Sequence, residues 1–312
     1  MSLKKGGDKM EKEWWIPTED DTAVYVKKWY REAQKPKAII QIAHGMVEHI
    51  QRYGPFANYL MEQNIFVYGN DHRGHGQTGE QQGLFGFFSE TDGFAKTTAD
   101  LYEVTKQIKK DHPNTPLFLF GHSMGSFLAR KYIQDYSSDI DGVILSGTGF
   151  HSFFTTLLGK TIARILPPKE KSNLMNTLAF GSYNKKTINK TAFDWLTNDE
   201  TAVQTYIDDP HAGFVPNARF FYDLMDGLQD IHDQKRNATI QNDLRMLIIS
   251  GDADPVGDYA KGVWKTANLY EKAGLEDIIT MLFADRRHEL LHEQNKQEVY
   301  TAIYQWMQKH FS

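Results

Sequence analysis

A serine between glycines carries the clearest chemical signature in this chain. Residues 121–125 read Gly-His-Ser-Met-Gly, after the apolar run 117–120 and before a helical-looking segment, 126–136. At such a strand-turn-helix corner the serine backbone is strained and its hydroxyl is held out beyond the sheet, while small neighbours let strand and helix approach closely. We therefore predict that Ser123 is a nucleophile rather than part of a surface turn.

A serine hydroxyl is a weak nucleophile, so it needs a base and a carboxylate that orients the base. With a serine at this kind of corner, the acid and then the histidine follow along the chain, each after a later strand. The run 244–250 is typical of a buried strand and leads into two acids, Asp252 and Asp254. We predict that Asp254 is the acid, because it precedes Pro255 and a residue before proline favours extended backbone. Asp252 fits a turn.

The base has two candidates after the next predicted strand, 278–283. His288 lies before the final helix, whereas His292 falls inside it. A base must come within hydrogen-bond reach of the serine, which favours a loop position. We therefore predict that His288 is the base and that His292 is structural.

Backbone N–H groups are needed to stabilise the negative charge that develops on the substrate carbonyl oxygen. The predicted strand 37–43 opens into a loop that begins with His44 and Gly45, where this arrangement places its oxyanion loop. We assign the two donors to the N–H of Met46 and the N–H of Met124, the residue after the nucleophile. The alternative for Gly45 is an ordinary turn glycine.

His72 and His75, three residues apart in the run 71–76, raise the question of a metal site. A catalytic zinc needs a further protein ligand arranged around an open position. We therefore predict no metal and interpret 71–76 as a structural loop beside the serine.

Several motifs together resemble the monoacylglycerol lipase and lysophospholipase group of the α/β-hydrolases. They are His44-Gly45-Met46-Val47-Glu48-His49 with Arg52-Tyr53, Asp71-His72-Arg73-Gly74-His75-Gly76, Gly121-His122-Ser123-Met124-Gly125, Gly251-Asp252-Ala253-Asp254 and His288-Glu289-Leu290-Leu291-His292-Glu293. The resemblance covers nearly the whole chain, about 14–306. It implies the same nucleophile, acid, base and oxyanion donors as above. It is much less specific for substrate, because related sequences include esterases, acylglycerol lipases and serine aminopeptidases.

The elements that must position these residues alternate along most of the chain. Residues 14–30 are typical of two antiparallel strands, and strands and helices then alternate up to a predicted strand at 142–146. After residue 146, no clear strand pattern appears until the run 244–250, which precedes the acid candidate Asp254. We predict an α/β-hydrolase fold, a mostly parallel doubly wound sheet with an inserted helical cap. The core would occupy 1–148 and 237–312, and the cap 149–236.

The first half of this cap carries an apolar stripe at helical spacing, which ends at two prolines. Its members are Phe150, Phe153, Phe154, Leu157, Leu158, Ile162, Ile165 and Leu166. We select Phe150, Phe153, Phe154 and Leu157 as candidate substrate-binding residues. A second apolar set fits core or pocket lining: Phe220, Phe221, Leu224, Met225, Leu228 and Ile231.

Charge is divided unevenly within the predicted cap. Residues 149–190 contain seven Lys or Arg and one acid, whereas residues 191–236 contain nine acids and three Lys or Arg. Two interpretations follow. The stripe packs on the core and the charges are solvated, or the first half is a lid that rests on an anionic lipid surface and passes an acyl chain to Ser123.

Composition narrows the class of protein. The 312 residues carry a formal net charge of −5 and include no cysteine, which excludes disulfides and thiol nucleophiles and argues against a nucleic-acid binder. Residues 1–12 are polar, unlike a secretory signal peptide, and no apolar run is long enough to span a bilayer. We expect a soluble, cytoplasmic protein.

Together with the resemblance, these observations predict a serine carboxylic-ester hydrolase of monoacyl lipids, with monoacylglycerol first and lysophospholipid second. The reaction would pass through an acyl-enzyme and need no cofactor. The expected partners are a lipid ester and a membrane surface contacted by the cap, and the oligomeric state stays open.

Two alternatives remain. A serine aminopeptidase would use the same triad, with Glu200, Asp208 and Asp209 as candidates to bind a substrate ammonium. A ligand receptor would keep the fold with negligible turnover.

Overall fold

One eight-stranded sheet organises the part of the chain that the structure describes, residues 8–188 and 190–311 of a computed structural model. Residues 1–7 of the polar N-terminal stretch lie outside the described residues. The strands are β1 (Lys9–Pro17), β2 (Ala23–Arg31), β3 (Ala38–Ala43), β4 (Ile65–Asn70), β5 (Leu117–His122), β6 (Gly142–Ser146), β7 (Arg245–Gly251) and β8 (Ile278–Phe283).

The order across the sheet is β1-β2-β4-β3-β5-β6-β7-β8. β1 pairs antiparallel with β2, and β2 antiparallel with β4, while all other neighbouring pairs are parallel. β3, β4, β5 and β6 are buried at every residue, as expected where helices cover both faces of a parallel sheet. The predicted doubly wound α/β-hydrolase architecture is confirmed.

Helices pack on both faces because side chains alternate along each strand. The helices are α1 (Gly54–Glu62), α2 (Gly76–Gln82), α3 (Gly93–Asp111), α4 (Met124–Tyr136), α5 (Phe153–Ile165), α6 (Asn173–Phe180), α7 (Glu200–Asp208), α8 (Ala218–Asp230), α9 (Gln234–Asn237), α10 (Lys261–Ala273) and α11 (Lys296–Gln308). On β5, Leu117 and Leu119 join the apolar cluster that includes residues of α3, α4 and α10, while Phe118 and Phe120 join the cluster with residues of α1 and α11.

The segment between β6 and β7 adds helices α5 to α9, and its described residues add no strand to the sheet. α8 packs against α5 and also against α3 and α4. Its apolar residues Phe220, Phe221, Leu224 and Leu228 are buried, as expected for core or pocket lining. Across the described residues, no helix combines the length and the apolar composition that crossing a bilayer requires.

The parallel strands also fix the location of the site. β3, β5, β7 and β8 run in the same direction, so the loops that follow them meet at one edge of the sheet. In open α/β sheets ligands bind at this carboxyl edge. The loops that carry Met46, Ser123, Asp254 and His288 all lie there.

Candidate active site

Ser123 lies between β5 and α4 with a strained backbone. Its φ and ψ are +52° and −120°, a conformation that residues with a Cβ rarely adopt. Packing at the corner requires the flanking glycines: a Cβ on Gly121 would lie 2.3 Å from the Gly125 carbonyl oxygen, and one on Gly125 would lie 2.0 Å from the Ala43 carbonyl oxygen. The corner therefore presents the serine at the sheet edge, as the motif predicts.

Asp254 and His288 are brought together in this edge. His288 Nδ1 lies 2.9 Å from Asp254 Oδ2, and both side chains are buried. The second oxygen, Oδ1, accepts a hydrogen bond from the Val256 N–H at 2.8 Å. Ser123 and His288 line the same cavity. The arrangement leaves the other imidazole nitrogen, Nε2, available to a serine hydroxyl.

The competing candidates have other contacts. Asp252 is exposed and accepts a hydrogen bond from the Asp285 N–H at 2.8 Å. His292 Nε2 lies 3.2 Å from the Arg52 carbonyl oxygen, in a short 3-10 helix, Leu290–His292. Neither side chain contacts the imidazole–carboxylate pair described above.

The protonation of His288 reflects two opposing effects. Burial, the largest single effect, disfavours the charged imidazolium, but the carboxylates of Asp254, Glu289 and Glu48 together outweigh burial and raise the pKa of His288 above its usual 6.5, with the largest contribution from Asp254. The carboxylate thus stabilises the imidazolium that a proton transfer from serine would form.

Met46 and Met124 both line the cavity wall beside Ser123. Met124 is the first residue of α4, where a backbone N–H has no acceptor within its own helix. Met46 lies in the turn that follows β3. Both positions suit donors to an oxyanion.

The peptide group between Gly45 and Met46 is held in place through its carbonyl oxygen, on the side opposite the Met46 N–H. The Gly45 carbonyl belongs to this group, and His44 Nδ1–H donates to it at 2.7 Å. His44 Nε2 accepts from the His72 N–H at 3.0 Å, which assigns the proton to Nδ1. Because the peptide is planar, fixing its carbonyl fixes the direction of its N–H.

His44, His72 and His75 pack against one another beneath this loop. The ring centroids of His44 lie 4.0 Å from those of His72 and 5.4 Å from those of His75. Burial lowers the pKa of His72 to about 3 and that of His75 to about 4, so both rings are neutral at pH 7. Within residues 8–188 and 190–311, no group of three or more His, Asp or Glu side chains is placed to hold a metal ion.

An aromatic side chain that the sequence did not single out covers the imidazole. The Trp195 ring lies 5.0 Å from the His288 ring, between centroids. Trp195 in turn contacts Tyr183 at 4.9 Å and Phe180 at 5.9 Å. Trp195 follows no motif that points to chemistry, so only the folded chain reveals this contact.

The loop that carries His288 is also hydrogen-bonded to residues 194–197. Arg287 Nη1 donates to the carbonyls of Asp194 at 2.6 Å and Thr197 at 3.0 Å. The Glu289 N–H donates to the Leu196 carbonyl at 2.7 Å. The backbone before α7 is therefore part of what positions the imidazole.

Two cavities meet at Ser123. One, of about 420 Å³, is mixed in polarity and includes His288, Glu48 and Lys185 in its lining. The other, of about 320 Å³, is mostly apolar and lies between α4, α5, α6 and α8. Both are lined by Met46, Ser123 and Phe180. We call the first the polar cavity and the second the apolar cavity; their volumes are those of small-molecule sites.

The four candidate substrate-binding residues are not placed at Ser123. Phe150, Phe153, Phe154 and Leu157, all in the described part of the chain, line neither of these two cavities. Phe153, Phe154 and Leu157 are exposed. The face of α5 that lines the apolar cavity instead comprises Thr155, Thr156, Leu158, Gly159 and Ile162.

The chain matches known proteins over most of its length. A sequence profile of the family described as serine aminopeptidase, S33, matches residues 34–295. The chain is 29% identical over 304 residues to the putative monoglyceride lipase of Schizosaccharomyces pombe, which covers 92% of this chain and 71% of that protein. It is 26% identical over 259 residues to the monoglyceride lipase of Homo sapiens, covering 79% and 78% of the two proteins.

A solved structure is similar throughout. It is a highly thermostable carboxyl esterase from Bacillus coagulans, in complex with glycerol. It has a TM-score of 0.89 and 27% sequence identity, and the match covers 97% of this chain and 99% of that chain.

Proposed function

Because the chain belongs to the serine aminopeptidase S33 family and, within it, to the monoacylglycerol lipase group of the α/β-hydrolases, we propose that it hydrolyses monoacylglycerols. It is a carboxylic-ester hydrolase of the lipid-ester type. The observation that carries the finer assignment is that the mostly apolar cavity and the cavity of mixed polarity meet at Ser123.

In the proposed reaction Ser123 Oγ attacks the ester carbonyl carbon while His288 Nε2 accepts the hydroxyl proton. The N–H groups of Met46 and Met124 stabilise the tetrahedral oxyanion. Collapse breaks the bond to glycerol, which leaves with the proton from His288. Water then attacks the acyl-enzyme by the same route, releasing the fatty acid and restoring the Ser123 hydroxyl. Asp254 keeps the imidazole in the required tautomer throughout.

The two cavities suit the two parts of a monoacylglycerol. An acyl chain fits the apolar cavity because its burial there removes apolar surface from water. The charged side chains of the polar cavity, among its described lining residues, are Glu48, Glu289 and Lys185. Arg52 pairs with both glutamates, and together with Lys185 the four charges cancel. The lining therefore offers no net positive charge to the phosphate of a lysophospholipid, so an uncharged glycerol is the better head group.

The aminopeptidase alternative receives no support from its predicted ammonium site. Glu200 pairs with Lys190 at 2.5 Å, and Asp209 Oδ2 lies 2.7 Å from His49 Nε2. Asp208 accepts a hydrogen bond from Gln204 at 2.8 Å. These acids, all among the described residues, line neither cavity at Ser123.

A substrate panel tests the proposal. The purified protein and its Ser123→Ala variant would be assayed with monooleoylglycerol, dioleoylglycerol, lysophosphatidylcholine and leucine p-nitroanilide. We expect kcat/KM for monooleoylglycerol to exceed the others by about tenfold or more, since head groups that leave buried polar groups unpaired are rejected strongly. Preference for the anilide would establish the aminopeptidase, and turnover equal to that of Ser123→Ala would establish the receptor.

We expect kcat/KM to fall with decreasing pH through a pKa above 6.5. His288 must be neutral to accept the Ser123 proton, and its raised pKa means that protonation removes the base at a higher pH than for a free imidazole. The profile would be measured with p-nitrophenyl butyrate from about pH 5 to about pH 9, at the isosbestic wavelength of nitrophenol. An inflection below pH 6.5 would mean that another group controls the acid limb of the profile, the fall of kcat/KM at low pH.

A patch of exposed apolar residues lies on α5 and α6. We call it the apolar cap surface: Phe153, Phe154, Leu158, Ile165, Leu174 and Leu178, each more than half exposed. Leu158 and Leu178 also line the apolar cavity, so this cavity opens where the surface is apolar. The stripe therefore does not pack on the core as a whole, and we propose that it contacts a lipid surface from which the acyl chain enters.

Electrostatic attraction contributes less to this contact than the sequence suggests. Of the seven basic residues in 149–190, Lys160, Lys169 and Lys190 pair with acidic side chains. These three ion pairs reduce the excess of positive charge in this segment. Burial of the exposed apolar side chains is therefore the larger part of the proposed binding free energy.

Replacing Phe154 and Ile165 together with Ser is expected to weaken binding to phosphatidylcholine–phosphatidylglycerol vesicles by about tenfold or more, because these are the most exposed members, at 81% and 80%. Co-sedimentation at low and high salt would measure binding. Turnover of p-nitrophenyl butyrate should change little. Trp264→Ser, on α10 and 50% exposed, is the matched control. Equal losses in the two variants would argue against a specific lipid contact.

A further inference from the structure

A buried bridge of three charged side chains connects two loops of the candidate site. Arg52 Nη1 donates to Glu48 Oε2 at 2.5 Å. The same guanidinium donates through Nη1 and Nη2 to Glu289 Oε1 and Oε2, each at 2.7 Å. The side chains of Arg52, Glu48 and Glu289 are only 8%, 3% and 4% exposed. A planar guanidinium forms such paired bonds in a fixed orientation.

Each end of the bridge continues into the proposed catalytic machinery. Glu48 Oε1 accepts the Gly45 N–H at 2.5 Å, one residue before the proposed oxyanion donor Met46. The Tyr53 hydroxyl donates to the same oxygen at 2.8 Å. At the other end, Glu289 directly follows His288. The hydrogen bonds thus run without interruption from the loop after β3 to the loop after β8.

Stability alone does not account for three buried charges at this position. Removing ions from water is costly, and well-packed apolar residues are often as stabilising as a buried ion pair. Burial, the largest single effect, would favour neutral carboxyls, but Arg52, with smaller contributions from His122 and His292, holds the pKa of Glu289 and that of Glu48 below their usual value. Both carboxylates are therefore ionised at neutral pH, which keeps the bridge intact.

We propose that the Glu48–Arg52–Glu289 bridge fixes the position of the loop that carries the oxyanion donor relative to the loop that carries the base, with Arg52 as the positioning residue. The proposal rests on the roles proposed above for Met46 and His288. A tetrahedral intermediate must contact both at once, so a shift of one loop against the other slows the chemical step.

The bridge also has an electrostatic effect on His288. The charged groups that face the imidazole are Asp254, Glu289 and Glu48, and all three raise its pKa. The neighbouring rings of His122 and His292 are neutral at pH 7: burial, with the charge of His288, lowers the pKa of His122 to about 4, and burial, with the charge of Arg52, lowers that of His292. Loss of either glutamate charge should lower the pKa of His288.

Glu48→Gln and Glu289→Gln test the proposal, because each leaves Arg52 bonded to one carboxylate and should fold. With p-nitrophenyl butyrate we expect each variant to lose about ten- to a hundredfold in kcat with little change in KM, since a misplacement near 1 Å costs about that much. The acid limb of kcat/KM should move to lower pH. If the bridge acts as one unit, the double variant should lose no more than the worse single variant.

Glu293→Gln is the matched control. Glu293 is a buried glutamate of the same loop that accepts the Arg287 N–H at 2.9 Å and has no contact with Arg52 among the described residues. It should lower the melting temperature and leave the acid limb in place. Multiplicative losses in the double variant, or an unchanged acid limb in both single variants, would overturn the proposal. Because the probe is a simple ester, these outcomes hold even if monoacylglycerols prove not to be the substrate.

Discussion

Replacing Ser123 with Ala is expected to reduce kcat for an ester substrate by about four to six orders of magnitude while the protein remains folded. The variant has no oxygen to form the acyl-enzyme. His288→Ala should cost a similar factor, because it removes the imidazole that accepts the proton. Asp254→Asn should cost about 10⁴-fold, since an amide in place of the carboxylate favours the wrong imidazole tautomer. Pre-steady-state burst amplitudes and circular dichroism would separate loss of chemistry from loss of folding.

The competing candidates provide the controls for this experiment. Asp252→Asn alters an exposed carboxylate that accepts the Asp285 N–H, and it should retain most of the activity. His292→Ala should cost far less than His288→Ala. If His292→Ala abolished turnover and His288→Ala spared it, the assignment of the base would be wrong.

Gly125→Ala is expected to destabilise the fold by about 3 kcal/mol or more, a large fraction of the stability of a typical domain. Its Cβ would lie 2.0 Å from the Ala43 carbonyl oxygen and 2.5 Å from that of His44. These are backbone atoms at the end of β3, where Ala43 pairs with Gly121, so they cannot move without disturbing the sheet. The free energy of unfolding in urea would measure the effect.

Gly159→Ala is the comparison for this substitution. Gly159 lies inside α5, and the atom that its Cβ would meet first is the flexible Met225 Sδ at 3.0 Å. Alanine also favours helix over glycine by about 1 kcal/mol. A near-neutral effect at Gly159 with a large loss at Gly125 would show that backbone crowding, rather than loss of glycine itself, is decisive. Equal effects would argue against this.

The strands, and the pairing of Asp254 with His288, could be predicted because their signals are local. A glycine-flanked serine after an apolar run, and acids and histidines directly after strands, each occupy a few consecutive residues. Parallel strand order then brings these loops to one edge. The apolar cavity could not be predicted in this way. Periodicity shows which residues share a face of α5, but it does not show whether that face meets α8, a cavity or solvent.

Residue size and pairing between distant residues explain most of the features that the sequence does not predict. Gly159 and Thr156 line the apolar cavity although neither belongs to a hydrophobic stripe. Phe154 and Ile165 fit that stripe, yet they are largely exposed. Arg52 and Glu289 are 237 residues apart, so no local pattern connects them even though both stand in recognisable motifs.

The hydrogen bonds between the His288 loop and residues 194–197 set a limit on exchanging helical insertions between relatives of this protein. A chimera that grafted a foreign insertion onto this sheet would replace α5, α6 and α8, which line the apolar cavity. It would also remove the carbonyls of Asp194, Leu196 and Thr197 that Arg287 and Glu289 use, together with the indole over the imidazole. Exchanging the insertion would therefore alter the apolar cavity and the support of His288 at the same time. A graft that keeps its activity would have to retain residues 194–197 of this chain.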